Sequence, residues 1–427
     1  MVFTFSRSIL KHAAWVSGST ALAQAVTLLA TPLLTRLYAP EVFGAVGVFF
    51  SLLALLLPLA TFSFALAIVP AETADEASGL TRLCWRLSLL LAAFAFLLIL
   101  PGLQSHWIGF LSLEIIQSYL FLLPPAILLA SANLVLSQWM ARKKSFAMQG
   151  KILLLHALLL NAGKGLAGLR QPTAAVMIGV TLACSLLQAI CLGFALRHQG
   201  HRTAAASPSH SLLDLARKYR AFPLYKTPQI FLHTLGDALP LLFLTAAVGP
   251  FAAGSYAVAH KMLSLPVSLL ADALRQVLYP ELAEAQRQQL PLFPLLRKTL
   301  VLLCLVGGPP FLVLFFFSPV LFRVLLGPDW VQAGQVAARL TPLMFMVFLG
   351  RPVMSAVLVL GRQKSLLLFE ILLTLVKSAA LGIGLFFLRD DLFAVTLFSV
   401  SSAIGMFIFL VLMLYAAHKA DQLRHVS

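Results

Sequence analysis

A chain of 427 residues that is 60% hydrophobic and 11% charged, with a mean hydropathy of +0.94, has too little polar surface for a soluble fold of that size. Its net charge of +16 would point to nucleic acid in a soluble protein. No basic run here is interleaved with aromatics, however, and in a membrane protein the same excess follows from the positive-inside bias.

The apolar runs are Leu- and Ala-rich, continuous and about 20 residues long, where barrel strands would alternate over about ten. An all-α integral membrane protein is expected, because a helix satisfies each backbone polar group within its own segment. At the N-terminus, Arg7 and Lys11 precede an apolar run, and Ala21-Leu22-Ala23 resembles a signal-peptide cleavage site. The run is interrupted by Ser17, Gly18, Ser19 and Thr20 and continues to Leu34, so a retained first helix is expected.

In chain order, twelve transmembrane helices are expected at 13–35, 42–69, 83–101, 118–140, 151–169, 173–196, 222–247, 253–279, 299–318, 335–360, 365–388 and 392–416. The fifth contains Asn161 and Lys164, and the seventh is broken by Pro228 and Pro240, which makes them the least regular of the set. Assigning alternate loops to the two sides collects most of the Lys and Arg on one side, including Arg142, Lys143, Lys144, Lys151, Arg197, Arg202, Arg217, Lys218 and Arg220. The other side collects Arg36, Arg170, Arg323 and Arg389. This asymmetry places both termini in the cytoplasm and requires an even number of helices.

The longest cytoplasmic segment, RHQGHRTAAASPSHSLLDLARKYR, begins as an Ala/Ser/His-rich stretch without a periodic apolar face. It reads as a linker, while SLLDLARKYR reads as a short helix lying on the anionic inner leaflet. The expected organisation is a six-helix lobe over 1–197, a cytoplasmic linker over 198–221 and a second six-helix lobe over 222–427.

A repeat supports this division. Residues 31 to 49 read TPLLTRLYAPEVFGAVGVF and residues 244 to 265 read LTAAVGPFAAGSYAVAHKMLSL. With a shift of 210, Leu34, Thr35, Pro40, Gly44, Val48, Leu53 and Leu55 meet Leu244, Thr245, Pro250, Gly254, Val258, Leu263 and Leu265. The shift carries the first hairpin onto the seventh and eighth helices. An even displacement makes the lobes parallel and pseudo-symmetric around a central cavity, as in transporters that rock two bundles about one site. A third version, Gly327-Pro328-Asp329-Trp330…Gly334, marks the turn between helices nine and ten. Arg36 and Tyr38 read as anchors at the periplasmic interface.

Ten ionisable residues fall inside expected spans: Lys164, Lys226, Asp237, Lys261, Asp272, Arg275, Arg339, Arg351, Glu370 and Lys377. A charge at the bilayer centre costs about 2.5–3.5 kcal/mol on insertion scales, so these side chains are expected to line a wet interior or to pair. Lys226 with Asp237, Lys261 with Asp272, and Glu370 with Lys377 are spaced to share helix faces, and Asp272 and Arg275 are placed to pair at i, i+3. Lys261, Lys377, Arg351, Lys226, Arg275, Lys164 and Arg339 form a candidate cationic cavity suited to an anionic substrate, pyrophosphate above all, with Asp237, Asp272 and Glu370 as gating or pairing acids. Snorkelling remains the alternative for Lys226, Arg275, Glu370 and Arg339.

His156, His233 and His260 have no metal-ligand spacing, and Cys84, Cys184, Cys191 and Cys304 lie in apolar segments as core residues. No metal or cofactor is expected. The expected outer loops are short and gather no carboxylates or histidines, which argues against a membrane polymerase or ligase.

Four stretches carry a family resemblance: LATPLLTRLYAPEVFGAVGVF, ALAIVPAETADEA, the region from Tyr219 to Ala285, and VLVLGRQKSLLLFEILL. They resemble the bacterial lipid-linked oligosaccharide flippases, the polysaccharide and O-antigen translocases of the multidrug/oligosaccharidyl-lipid/polysaccharide exporter superfamily. The resemblance implies a non-enzymatic, multi-pass protein of the bacterial inner membrane. It would carry undecaprenyl-pyrophosphate-linked repeat units, such as those of lipopolysaccharide O-antigen, to the periplasmic leaflet by alternating access. Membrane lipid, a polysaccharide polymerase, a chain-length regulator and a coupling sodium ion or proton are the implied partners. Family members often carry an acid just before the IVP-like end of the second span, where this chain has Ala65 and Ala67. An ion-coupled exporter of drugs or metabolites on the same fold is the alternative.

Overall fold

The structure, a computed structural model, describes residues 7–102, 114–198, 211–288, 291–359 and 363–426. Side chains are described for these except at 7–17, 100–102, 114, 270–287, 292, 351–359, 363–367, 420 and 423–426. The described residues form helices and turns with no strand.

The helices are α1 (Arg7–Leu37), α2 (Pro40–Thr61), α3 (Phe64–Ala67), α4 (Ala74–Gly102), α5 (Leu123–Arg142), α6 (Phe146–Gly168) and α7 (Ala174–His198). They continue as α8 (Leu212–Lys218), α9 (Thr227–Ala247), α10 (Pro250–Arg287), α11 (Leu292–Leu326), α12 (Val331–Val359), α13 (Gln363–Gly382) and α14 (Asp391–Val426). A 3-10 turn leads into α5, and π-turns precede α9 (Phe222–Lys226) and follow α13 (Ile383–Phe387). Among the described residues, 11 stretches are long and apolar enough to cross a membrane. They include the two irregular spans, Phe146–Gly168 and Phe222–Ala247. The remaining expected span, 253–279, lies within the 38-residue helix α10.

The polar residues that made the fifth span irregular are accommodated by helix packing. Asn161 donates from Nδ2 to the Ala157 carbonyl at 2.7 Å and to Thr27 Oγ1 of α1 at 3.3 Å. A buried amide in the membrane is tolerated because its partners are in place.

The two matched hairpins have the same construction. Pro40 and Pro250 open α2 and α10, where the missing N–H is one of the donors a helix start leaves unpaired anyway. Leu34 and Leu244, Gly44 and Gly254, Val48 and Val258, and Leu53 and Leu263 are all buried, while Leu55 and Leu265 are both half-buried. Thr35 and Thr245 each turn a hydroxyl back onto their own helix, to the carbonyls of Pro32 and Leu241.

Tyr38 is not an interface anchor. It is 1% exposed, its hydroxyl donates to the Lys164 carbonyl of α6 at 2.8 Å, and its ring lies over Gly168, where a Cβ would come within 2.6 Å of it. The turn after α11 forms at the expected residues. Gly327 has φ +117°, Trp330 is buried, and Gly334 lets α12 approach the Pro319 backbone to a distance that a Cβ would reduce to 2.6 Å.

The chain divides into two compact units, 1–238 and 239–427, with the boundary inside α9. In the first unit α4 packs on α5, α2 on α4 and α5, α5 on α7, and α6 on α7. In the second unit α11 packs on α12, α10 on α11 and α12, α12 on α14, and α13 on α14. Under the sequence shift these pairs correspond, although α1 on α6, the most extensive pair described in the first unit, is not among them.

Candidate functional site

The intramembrane charges fall on helices of both units. Lys261 lies on α10 about 16 Å along the axis from Pro250, at 1.5 Å per residue, and Lys377 on α13 about 15 Å before Phe387. Both are therefore near mid-depth of a hydrocarbon core about 30 Å thick, and both are half-buried. Lys377 Nζ sits 5.9 Å from the centroid of the buried Phe398 ring on α14, within range of a cation–π contact. The Lys261 carbonyl accepts a bond from Ser264 Oγ at 3.3 Å. Glu370 is half-buried on α13, and Arg339 on α12 is exposed.

In the first unit Lys164 is half-buried near the end of α6, and Lys226 is exposed in the π-turn, with Nζ 3.4 Å from Gln229 Oε1. Asp237 Oδ2 lies 3.3 Å from Nδ1 of His233, one turn earlier on α9. The sequence had suggested Lys226 as its companion. The side chains of Asp272, Arg275 and Arg351 lie outside the described residues. The four thiols are free. His156 lies in a shallow groove between α6 and α7, with its Nε2 buried and, among the described residues, without a hydrogen-bond partner.

A second cluster, at the loop between α2 and α4, was not singled out from the sequence. Phe62 and Ser63 have φ of 44° and 55°, which breaks the helix and leaves α3 as a single turn. The chain then runs through Ile68–Thr73, whose carbonyls converge on Arg142 at the end of α5. Its Nη1 donates to Ile68, Val69 and Ala71 at 2.9, 3.0 and 2.6 Å, and its Nη2 to Thr73 at 3.1 Å. One guanidinium thus reaches the Ile68, Val69 and Ala71 carbonyls and shares the Thr73 carbonyl with the Ala77 N–H of α4.

Thr73 and Glu76 open α4 with the T-x-x-E signature of a capping box: the Glu76 N–H donates to Thr73 Oγ1 at 3.1 Å, and Glu76 Oε2 accepts from the Glu72 N–H at 3.3 Å. Glu76 also accepts from Lys218 Nζ at 2.6 Å and from Tyr219 Oη at 2.7 Å, and Lys218 reaches Glu72 at 2.9 Å. The hydrogen bonds to Glu76 and Glu72 hold the Lys218 ammonium well above its ordinary pKa. Burial, reinforced by the Glu76 bond, pushes the Tyr219 phenol up as well.

The helix expected at SLLDLARKYR therefore exists, as α8, but it docks on α4. Leu215 is 2% exposed and occupies the space that the missing Gly79 side chain leaves. The preceding residues 199–210 of the expected linker lie outside the described residues. Ala65 and Ala67 are fully buried in α3, in a cluster with Trp139 and Met140. An acid at either position would have to be buried.

The T-x-x-E pattern was the one local signal for this cluster. Its other members come together only through tertiary contacts spanning up to 146 positions.

Residues 33–335 match the family described as "Polysaccharide biosynthesis protein". No curated protein matches the chain. Among solved structures, an inward-facing multidrug resistance MATE family transporter of the MOP superfamily matches at a TM-score of 0.73 and 14% identity, over 96% of this chain and 96% of its own. The lipid II flippase MurJ, in its inward closed conformation, matches at 0.71 and 14% identity, over 95% of this chain and 87% of its own. A MOP superfamily transporter from Pyrococcus furiosus matches at 0.65 and 14% identity, over 97% and 96%. At such identities the likeness is one of fold. The family match covers well over half of the sequence, and with it the chain belongs to the polysaccharide biosynthesis protein family, on the fold of the MOP-superfamily transporters.

Proposed function

We propose that the protein is a flippase that moves undecaprenyl-pyrophosphate-linked oligosaccharide repeat units, of O-antigen or a related polysaccharide, from the cytoplasmic to the periplasmic leaflet of a bacterial inner membrane. In this reading the lobes 1–197 and 222–427, joined by 198–221, alternate access to a cavity between them. The sugar head and pyrophosphate pass through that cavity while the lipid tail stays in the bilayer. Lys261, Lys377, Arg351, Lys226, Arg275, Lys164 and Arg339 supply its positive charge. Asp237, Asp272 and Glu370 pair or gate, a coupling ion drives the cycle, and a polymerase with its chain-length regulator receives the product.

The observation that carries the reading is the placement of Lys261 and Lys377. Both are half-buried near mid-depth, on helices of a chain from a polysaccharide biosynthesis family. A desolvated ammonium in that position is costly unless an anion meets it, and pyrophosphate offers several acceptor oxygens. The likeness in fold to a multidrug transporter motivates a second reading, an exporter of drugs or metabolites. Cationic drugs would call for carboxylates in the cavity, and among the intramembrane charges Lys and Arg outnumber the acids.

Deleting the gene is expected to trap lipid-linked repeat units on the cytoplasmic leaflet. Lys261→Ala and Lys377→Ala are expected to leave them there although the protein reaches the membrane in normal amount. Delivery at the normal rate in the deletion strain would refute the flippase reading, and full complementation by both variants would assign the lysines a structural role.

A further inference from the structure

We propose that residues 211–219 form a releasable strap, docked on the start of α4 with Glu76 as its keeper, and that the docked strap tethers the first turn of α9 to the loop region between α2 and α4. The docked state is held by Ala216 and Tyr219, which pack against the buried cluster around Trp139, and by a small set of specific contacts. Ser211 Oγ accepts from the Leu213 N–H at 3.3 Å to start the helix, Leu215 fills the Gly79 notch, and Lys218 and Tyr219 close on Glu76 at 2.6 and 2.7 Å. Leu215 is the one residue of the strap that is buried, and Leu213 is 60% exposed.

A seven-residue helix has no stability of its own and exists only while its contacts hold. Its charged contacts are partly wet, with the Lys218 side chain 41% and Glu72 74% exposed, so water competes for them. Glu76, by contrast, is 6% exposed at its side chain. Two of the three hydrogen bonds that its carboxylate accepts come from the strap.

Release leaves no stranded charge. Glu76 keeps its bond from the Glu72 N–H and regains water, and Lys218 enters water as an ordinary ammonium. Two accessible states, with the docked one favoured, are what such an arrangement allows, where a deeply buried pair would allow one.

The strap also has a mechanical outlet. Tyr219 meets Phe222 with ring centroids 6.4 Å apart and the rings tilted by 50°, and Phe222 opens the π-turn that leads into α9. Thr227, the first residue of α9, donates from its hydroxyl to Ser63 Oγ at 2.9 Å, at the break between α2 and α3. Docking therefore fixes both sides of the π-turn to the same loop region, and release leaves Thr227 as the nearer tie. The inference rests on these contacts and not on the cargo.

Amide hydrogen exchange on the full chain in phosphatidylethanolamine/phosphatidylglycerol nanodiscs tests it. Peptides covering 211–219 should be protected in the native protein and exchange at least about tenfold faster in Lys218→Ala and Glu76→Gln, with a smaller increase in Tyr219→Phe. Peptides within Ala174–His198 should be unchanged, showing that the fold is retained. A bridge between Gly79→Cys and Leu215→Cys, in a background without the native thiols, should slow exchange below the native rate. Equal rates in Lys218→Ala, Glu76→Gln and native protein would overturn the keeper role. Native exchange as slow as in the bridged protein would overturn release. Each result is independent of whether lipid-linked sugar is transported.

Discussion

At the scale of single residues, what a side chain does depends on which helix lies opposite, and Tyr38 shows this most plainly. From sequence it is a tyrosine at a helix end with the profile of an interface anchor; in the fold its hydroxyl is committed to a carbonyl 126 positions away. Tyr38→Phe keeps the ring over Gly168 but leaves the Lys164 carbonyl without that donor, and should destabilise the detergent-solubilised protein by about 1 kcal/mol. A thermal midpoint equal to that of the native protein would show that the bond contributes nothing. Arg142 makes the same point for charge. Counted in the sequence it is one more cation on the cytoplasmic side, whereas in the structure its guanidinium organises four carbonyls of the loop before α4. Lys261 and Lys377 were legible as unusual without any structure, because a lysine in an apolar run is conspicuous whatever surrounds it. Glu72, Glu76 and Lys218 were not, because acids and lysines near a membrane surface are ordinary until their partners are known.

At the scale of elements, apolar run length located the spans, and glycines set how closely some of them pack. Gly334 is the sharpest case, since a Cβ there would lie 2.6 Å from Pro319 Cα and 2.7 Å from the Ser318 carbonyl oxygen. Backbone cannot yield as a flexible side chain can, so Gly334→Val should push α12 from α11 at a cost of about 1–3 kcal/mol, lowering the thermal midpoint. Gly308→Ala, where nothing lies within 4 Å, is the control and should be neutral or stabilising by about 0.5–1 kcal/mol. If the two variants unfold alike, the close approach is not what holds this pair. The sequence marked Gly334 as part of a turn design but gave no reason for the glycine, because that reason is the backbone of a different helix. The short helix α8 was likewise legible in SLLDLARKYR, but its docking face was not. The pattern of one helix says that it has an apolar side, and does not say whether lipid or protein covers it.

At the scale of the whole molecule, the shift of 210 that relates the two hairpins also relates several helix pairs that follow them in the two units. The direction of transport depends on sidedness, which the charge bias assigns. In a variant without native cysteines, Lys143→Cys should be shielded from a membrane-impermeant thiol reagent in intact spheroplasts and Arg170→Cys should react; both positions are exposed. The opposite labelling would invert the topology and, with it, the proposed direction of flipping. By itself the sequence determined the all-helical membrane class and the positions of the spans. These follow from hydropathy and period, which are properties of local stretches and of a bilayer of fixed thickness. Only the tertiary structure decided that Tyr38 is a clasp between helices, that Arg142 braces a loop and that Glu76 holds the strap. Those roles are pairwise, between residues far apart in the chain, and a hydrogen bond or ion pair has no signature in the sequence of either partner alone.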